Sequence, residues 1–140
     1  MSSEPWLVVI DPQVIFADPS SDWASPEFEA AAEVIESLLP EFGDRVLVTR
    51  WLPTASREGA WGEYFAAWPF ANVPADDRLY ELVPRAAAWS PHPTLDRPTF
   101  GKWGSELVER VGENPRLVLT GVSTDCCVLS TALAAADGGA

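Results

Sequence analysis

Leu117-Val118-Leu119-Thr120-Gly121-Val122-Ser123-Thr124-Asp125-Cys126-Cys127-Val128 is the stretch from which the rest of this 140-residue chain is read. Leu117 to Thr120 is a short, apolar, β-rich run, and Gly121 marks a turn. Ser123 and Thr124 carry hydroxyls suited to capping a helix, and a helical pattern follows through Val128, Leu129, Leu133 and Ala136 to Asp137, where Gly138-Gly139 supplies a stop. A strand therefore feeds a tight turn and then a helix whose first turn carries cysteine. A thiol in that position meets unpaired backbone N–H groups and the positive end of the helix dipole, both of which favour thiolate.

Working outward, Trp6-Leu7-Val8-Val9-Ile10 is continuously apolar, the pattern of a strand covered on both sheet faces, and Asp11-Pro12 ends it. Phe16 to Trp23 reads as loop. Ser25-Pro26-Glu27 has the form of an N-cap, a first-turn proline and an acid, predicting a helix to about Leu39. Val46 to Thr49 is a second strand with Arg50-Trp51 at its exit. Leu52 to Trp89 is a long excursion rich in Pro, Ala, Trp and Phe, with one short helix near Glu63 to Ala67. Thr94 to Pro98 is a weak strand, Thr99 to Gly104 a loop, and Glu106 to about Gly112 a short helix capped by Ser105. Strands alternating with helices predict an α/β domain spanning residues 1–140. Its expected form is a three-layer, Rossmann-like parallel sheet with helices on both faces.

The net charge of -12 argues against nucleic acid and anionic membrane surfaces as partners. The N-terminus has no basic region, and its apolar run is too short for a signal core or a membrane span, so a cytoplasmic location is expected. The only two cysteines are adjacent and cannot close a stabilising loop, which suits a reducing compartment. No Cys/His pair has metal-ligand spacing, so no metal or other cofactor is expected, and the single histidine, His92, reads as a loop residue between prolines.

In open parallel sheets, ligands bind at the carboxyl ends of strands beside a topological switch point. Asp11, Arg50, Lys102 and Cys127 all follow strand candidates. Asp11 can take the thiol proton, Lys102 can favour both anions, and the thiolate can attack a carbonyl whose oxyanion is held by N–H groups at the start of the Cys127 helix. Taken singly, each has a plainer reading: Asp11 as a turn residue, Lys102 as a solvated loop lysine, Cys127 as a small packed hydrophobe, and Asp125 as a complement to the helix dipole. Cys126, about 100° round a helix from Cys127, is expected to point elsewhere.

Three ordered blocks, "VVIDPQVIF" (Val8 to Phe16), "PTFGKW" (Pro98 to Trp103) and "LTGVSTDCCVLSTALAA" (Leu119 to Ala135), resemble the isochorismatase-like cysteine hydrolases, which include nicotinamidases and N-carbamoylsarcosine amidases. The resemblance implies Asp11 as general base, Lys102 as the third member of a triad and Cys127 as nucleophile. It further implies a cis peptide at Val122-Ser123 that aims the oxyanion donors, a small-molecule amide as substrate, and a homo-oligomer. It does not extend to the metal pattern of nicotinamidases, because Arg50-Trp51-Leu52-Pro53-Thr54-Ala55 contains no histidine. It also leaves the chain looking truncated, since family members continue with further strand and helix beyond the cysteine helix.

The expected function is metal-independent cleavage of a carbon–nitrogen amide bond through a Cys127 thioester. The alternatives are a truncated, inactive α/β domain and a redox-sensing Cys126-Cys127 pair. Phe16, Arg50, Trp51 and Trp103 are candidate substrate contacts. The tryptophans serve equally well as core or subunit contacts, and Arg50 equally well as the partner of a nearby acid.

Overall fold

A computed structural model describes residues 4–140. Its centre is β1 (Trp6–Ile10), in which Leu7 to Ile10 are fully buried. That burial on both faces is why the run carries no polar alternation. β1 pairs in parallel with β2 (Val46–Trp51) on one side and with β4 (Leu117–Gly121) on the other, while β3 (Leu95–Arg97) extends the sheet beyond β2. The order is β3-β2-β1-β4, so the chain reverses its direction of travel across the sheet between β1 and β4. The carboxyl ends of those two strands flank the crevice where a doubly wound sheet binds ligands.

Leu7, Val9, Val46 and Val48 face one side and pack on Phe28, Ala32, Ile35 and Phe42 of α2 (Phe28–Phe42). On the other side, Leu47 and Leu95 pack on Leu107 and Val111 of α4 (Ser105–Val111), and Val8 and Ile10 pack on Cys127. Helices therefore cover both faces, giving the expected three-layer α/β architecture. Between β1 and α2 lies a single helical turn, α1 (Val14–Ala17). The excursion after β2 contains α3 (Ala60–Ala67) and three short 3-10 turns, more order than its poor periodicity suggested.

Buried Gln13 ties that excursion down. Its amide donates to the carbonyls of Trp51 (3.0 Å) and Tyr80 (2.9 Å), and its oxygen accepts from the Trp51 N–H (2.8 Å). One amide thus satisfies backbone groups from two segments far apart in sequence.

Three local expectations need correction. α2 starts at Phe28 with Glu27 in the N-cap position and no side-chain cap, so Ser25 lies outside it. It also runs past Pro40 to Phe42 and closes through a hydrogen bond from Gly43 N–H to the Leu39 carbonyl. The cysteine segment is not α-helical at its start: Thr124–Val128 forms a π turn, and α5 proper is Leu129–Asp137. Finally, α5 turns Thr131 and Ala135 inward and leaves Leu129 and Leu133 exposed at 47% and 64%. The inward face is polar because Thr131 has bonds to make there: its hydroxyl donates to the Cys127 carbonyl (2.7 Å) and accepts from the Lys102 N–H (3.0 Å).

Gly121 is the tightest point of the sheet. Its φ is +108°, and an added Cβ would lie 2.1 Å from the Ile10 carbonyl oxygen and 2.6 Å from the Ile10 nitrogen. Gly43 also has a positive φ (+58°) but has open space around it. Gly43→Ala is therefore expected to cost about 1 kcal/mol of left-handed strain, and Gly121→Ala more than about 2 kcal/mol because main chain must move. Urea unfolding of the two variants checks the order, and equal losses would contradict it.

Candidate active site

Asp11 follows β1 directly and is fully buried, with a left-handed φ of +48°. That conformation is costly for a residue other than glycine and is held here from two directions. The Asp11 N–H donates to Thr49 Oγ1 (3.1 Å), and the Thr49 hydroxyl donates to Asp11 Oδ1 (2.7 Å). Thr49, at 0% exposure on β2, is a site residue that the sequence did not single out. A threonine in a β-rich run carries no signal of its partner 38 positions away.

Lys102 approaches from the loop between β3 and α4 and is also fully buried. Its Nζ donates to the carbonyls of Thr99 (2.8 Å) and Phe100 (2.7 Å) and lies 3.0 Å from Asp11 Oδ2. Two of its three N–H groups are thus taken by backbone carbonyls. The Asp11–Lys102 contact is an ion pair without hydrogen-bond alignment, and Oδ2 accepts no well-aligned hydrogen bond. That leaves Oδ2 as the basic atom of the group.

Cys127, 1% exposed, packs on Val8 and Ile10 of β1, close enough to Asp11, Lys102 and Cys126 for each to act on its ionisation. The structure thus brings Asp11, Lys102 and Cys127 to one point at the crevice between β1 and β4. The Val122–Ser123 peptide immediately before the π turn is cis.

Burial raises the Asp11 carboxyl above the ordinary range, outweighing Lys102, Thr49 and the thiol, all of which lower it. Cys127 is pushed up, first by its hydrogen bond to Cys126, then by burial and the Asp11 charge. The Cys126 thiol, half-buried, falls to about 7 because that same hydrogen bond stabilises its anion. The first ionisation of the two thiols therefore belongs to the pair rather than to either alone.

Cys126 was expected to point away from Cys127. It instead borders the same cavity, from within the π turn. The cavity, about 260 Å³, has Cys127 in its lining together with Cys126, Ser123 and Asp125. Phe16, Trp23, Tyr64 and Phe100 supply its aromatic lining. Burial, together with the charge of the thiols, raises the Tyr64 hydroxyl, so it stays protonated.

Of the expected substrate contacts only Phe16 lines this cavity. Arg50 is held by Asp96 through two hydrogen bonds of 2.8 Å. Trp51 is wholly buried behind the aromatic lining, stacked on Phe65 at 5.6 Å. Trp103 packs with Leu47 and Leu107 and against Gly138. These three stand outside the cavity lining. Tyr64 and Trp23 went unrecognised in the sequence. The spacing of Trp61, Tyr64 and Phe65 on one short helix was the available signal for the first, whereas Trp23 sits in a loop that has none.

A family model described as isochorismatase domain matches residues 5–140. Among solved structures, the chain is similar to a cysteine hydrolase from Pseudomonas syringae pv. phaseolicola (TM-score 0.78, 16% identity, covering 95% of this chain and 66% of that one). It is also similar to N-carbamoylsarcosine amidase from Thermoplasma acidophilum (TM-score 0.70, 18% identity, 98% and 78%). A third likeness is to a nicotinamidase from Staphylococcus aureus (TM-score 0.63, 19% identity, 99% and 79%). At these identities the likeness is one of fold, and the chain spans just under two thirds of the Pseudomonas protein's length. No curated protein matches the chain significantly.

Two measurements follow from the electrostatics. Because Asp11 binds its proton more tightly folded than unfolded, it favours the fold below the ordinary carboxylate pKa and opposes it as pH rises through its own raised value. Asp11→Asn is therefore expected to lose less stability than the native chain over that rise, as read from urea midpoints across pH. Parallel curves would refute a raised Asp11. For the thiol pair, Cys126→Ala is expected to lower the pH midpoint of Cys127 alkylation, since it removes the largest contribution raising it. An unshifted midpoint would mean that the thiols do not interact.

Proposed function

Since the chain belongs to the isochorismatase domain family, we propose that it is a cysteine hydrolase cleaving a carbon–nitrogen amide bond of a small molecule. The observation that carries this reading is the convergence of buried Asp11, Lys102 and Cys127 beside an aromatic-lined cavity. The amidase and nicotinamidase among the structural neighbours support the choice of bond.

In the proposed course, Asp11 takes the Cys127 proton as the sulfur attacks the amide carbonyl carbon. The resulting oxyanion is met by N–H groups at the start of the turn that follows Val122-Ser123, up to that of Cys127. Collapse breaks the C–N bond, and the amine leaves with the proton now on Asp11. Asp11, again a carboxylate, draws a proton from water as that water attacks the thioester, releasing the carboxylic acid and restoring the thiol. The raised Asp11 suits this traffic, because a carboxyl poised nearer neutrality both accepts and returns a proton readily. Lys102 holds the carboxylate in place and offsets each anion in turn.

The reading is metal-independent. Among the described residues no three His, Cys, Asp or Glu side chains gather as an ion's ligands, and the segment after β2 offers no imidazole, so the donors do not fit a resident metal of the nicotinamidase kind. The reading includes a cytoplasmic, homo-oligomeric protein. The two free thiols accord with that location, and among the described residues no helix is long and apolar enough to cross a membrane.

Cys127→Ala is expected to abolish ammonia or amine release from any amide substrate while leaving the circular dichroism unchanged. Asp11→Asn should lower kcat by at least about 10²-fold, the usual worth of a positioned general base. Turnover surviving in folded Cys127→Ala would remove Cys127 as nucleophile.

A further inference from the structure

The cavity beside Cys127 contains an electrostatic asymmetry that bears on what enters it. Its lining includes one carboxylate, Asp125, and no basic side chain. Lys102 is paired with Asp11, donates to the carbonyls of Thr99 and Phe100, and does not line the cavity. Arg50, the expected holder of a substrate carboxylate, is committed to Asp96 and stands outside the lining. An anionic substrate would find no counter-charge here. It would also face Asp125, whose charge is felt as far in as the Cys126 thiol, and a chain of net charge -12.

Beside Ala24, Ser123 and the two thiols, the lining is a continuous set of aromatic rings. Trp23 meets Tyr64 with ring centroids 5.7 Å apart, Tyr64 meets Phe100 at 5.8 Å, and Phe16 lies parallel to Trp23 at 6.4 Å. Trp23, Tyr64 and Phe100 are only partly buried, so they retain open surface. Aromatic faces carry negative charge density and attract cations, most strongly in the case of tryptophan, and a nearby carboxylate adds to that attraction. Aromatic rings with one acid and no base form the chemistry that recognises a compact organic cation.

We propose that this cavity selects amides bearing a compact organic cation, such as an alkylated ammonium, held by Trp23, Tyr64 and Phe100 with Asp125 as counter-charge. The amide half of the statement rests on the hydrolase reading, whereas the cation site stands on the cavity alone. Asp125 is then a specificity-determining residue rather than only a complement to the helix dipole.

The test uses a matched pair of probes, choline and its uncharged isostere 3,3-dimethylbutan-1-ol, as protectants of Cys127 against iodoacetamide in the intact chain. Ionic strength is held constant with sodium chloride, and labelling at Cys127 is read by fragment mass spectrometry. Choline is expected to protect at a concentration at least about tenfold lower than its isostere, in keeping with a partly desolvated cation–π contact. That preference should fall towards unity in Asp125→Asn and weaken in Trp23→Leu. Equal protection by the two probes, or a preference unchanged in Asp125→Asn, overturns the proposal. A second arm compares ammonia release from trimethylammonioacetamide, 3,3-dimethylbutanamide and malonamate, in that expected order. Selective protection by choline with no release from any amide sustains the cation site and counts against the hydrolase reading, so the two fail separately.

Discussion

Two opposite charges, Asp11 and Lys102, face each other at 3.0 Å where neither has any exposed surface. Burying them is costly, and only further hydrogen bonds make such a pair tolerable; removing one partner of a pair like this costs about 3–5 kcal/mol. Much of the local architecture consists of those further bonds. Thr49 on β2 clasps Asp11 from one side, and the carbonyls of Thr99 and Phe100 complete the ammonium from the other. Thr131 on α5 ties the lysine's own N–H to the carbonyl of Cys127. Strands and helices distant in sequence are thus joined through one polar node, in a layer that is otherwise apolar.

In the proposed reaction that cost falls where it serves chemistry. A carboxyl in water would titrate far too low to hold a thiol's proton, and a lysine in water would be too mobile to position anything. Burial lifts the carboxyl while the ammonium, Thr49 and the thiol pull it the other way, an opposition of the sort found at acid–base sites. The π turn adds a second opposition: by bringing Cys126 and Cys127 to one cavity, it divides the acidity of two like groups so that one is lowered and the other raised.

What could be read in advance followed from periodicity and composition. The unbroken apolar run at β1 required a doubly covered strand, the βα alternation required parallel pairing, and strand-end residues pointed to Asp11, Lys102 and the cysteine turn. What could not be read depended on contacts with no local trace. Thr49 and Gln13 matter through partners 38 or more positions away. The π turn replaces an α-helix through backbone geometry that residue preferences barely distinguish. The inward polar face of α5 inverts the usual rule, because Leu129 and Leu133 form the more hydrophobic stripe and yet face outward. Arg50, Trp51 and Trp103 were expected as contacts by position; their partners, an acid on β3, the aromatic core and the α4 face of the sheet, left no local trace either.

The tryptophans around the cavity are also an antenna. Trp23 lies 5.8 Å from Trp51 and 5.4 Å from Trp68, and Trp51 lies 5.9 Å from Trp61. At such separations, excitation absorbed by one indole migrates among the others before it is emitted. Trp23 alone of these four borders the cavity, so a molecule that quenches it drains light from the whole set. Entry of such a quencher into the cavity beside Cys127 is therefore expected to show in the protein's own ultraviolet emission without any label.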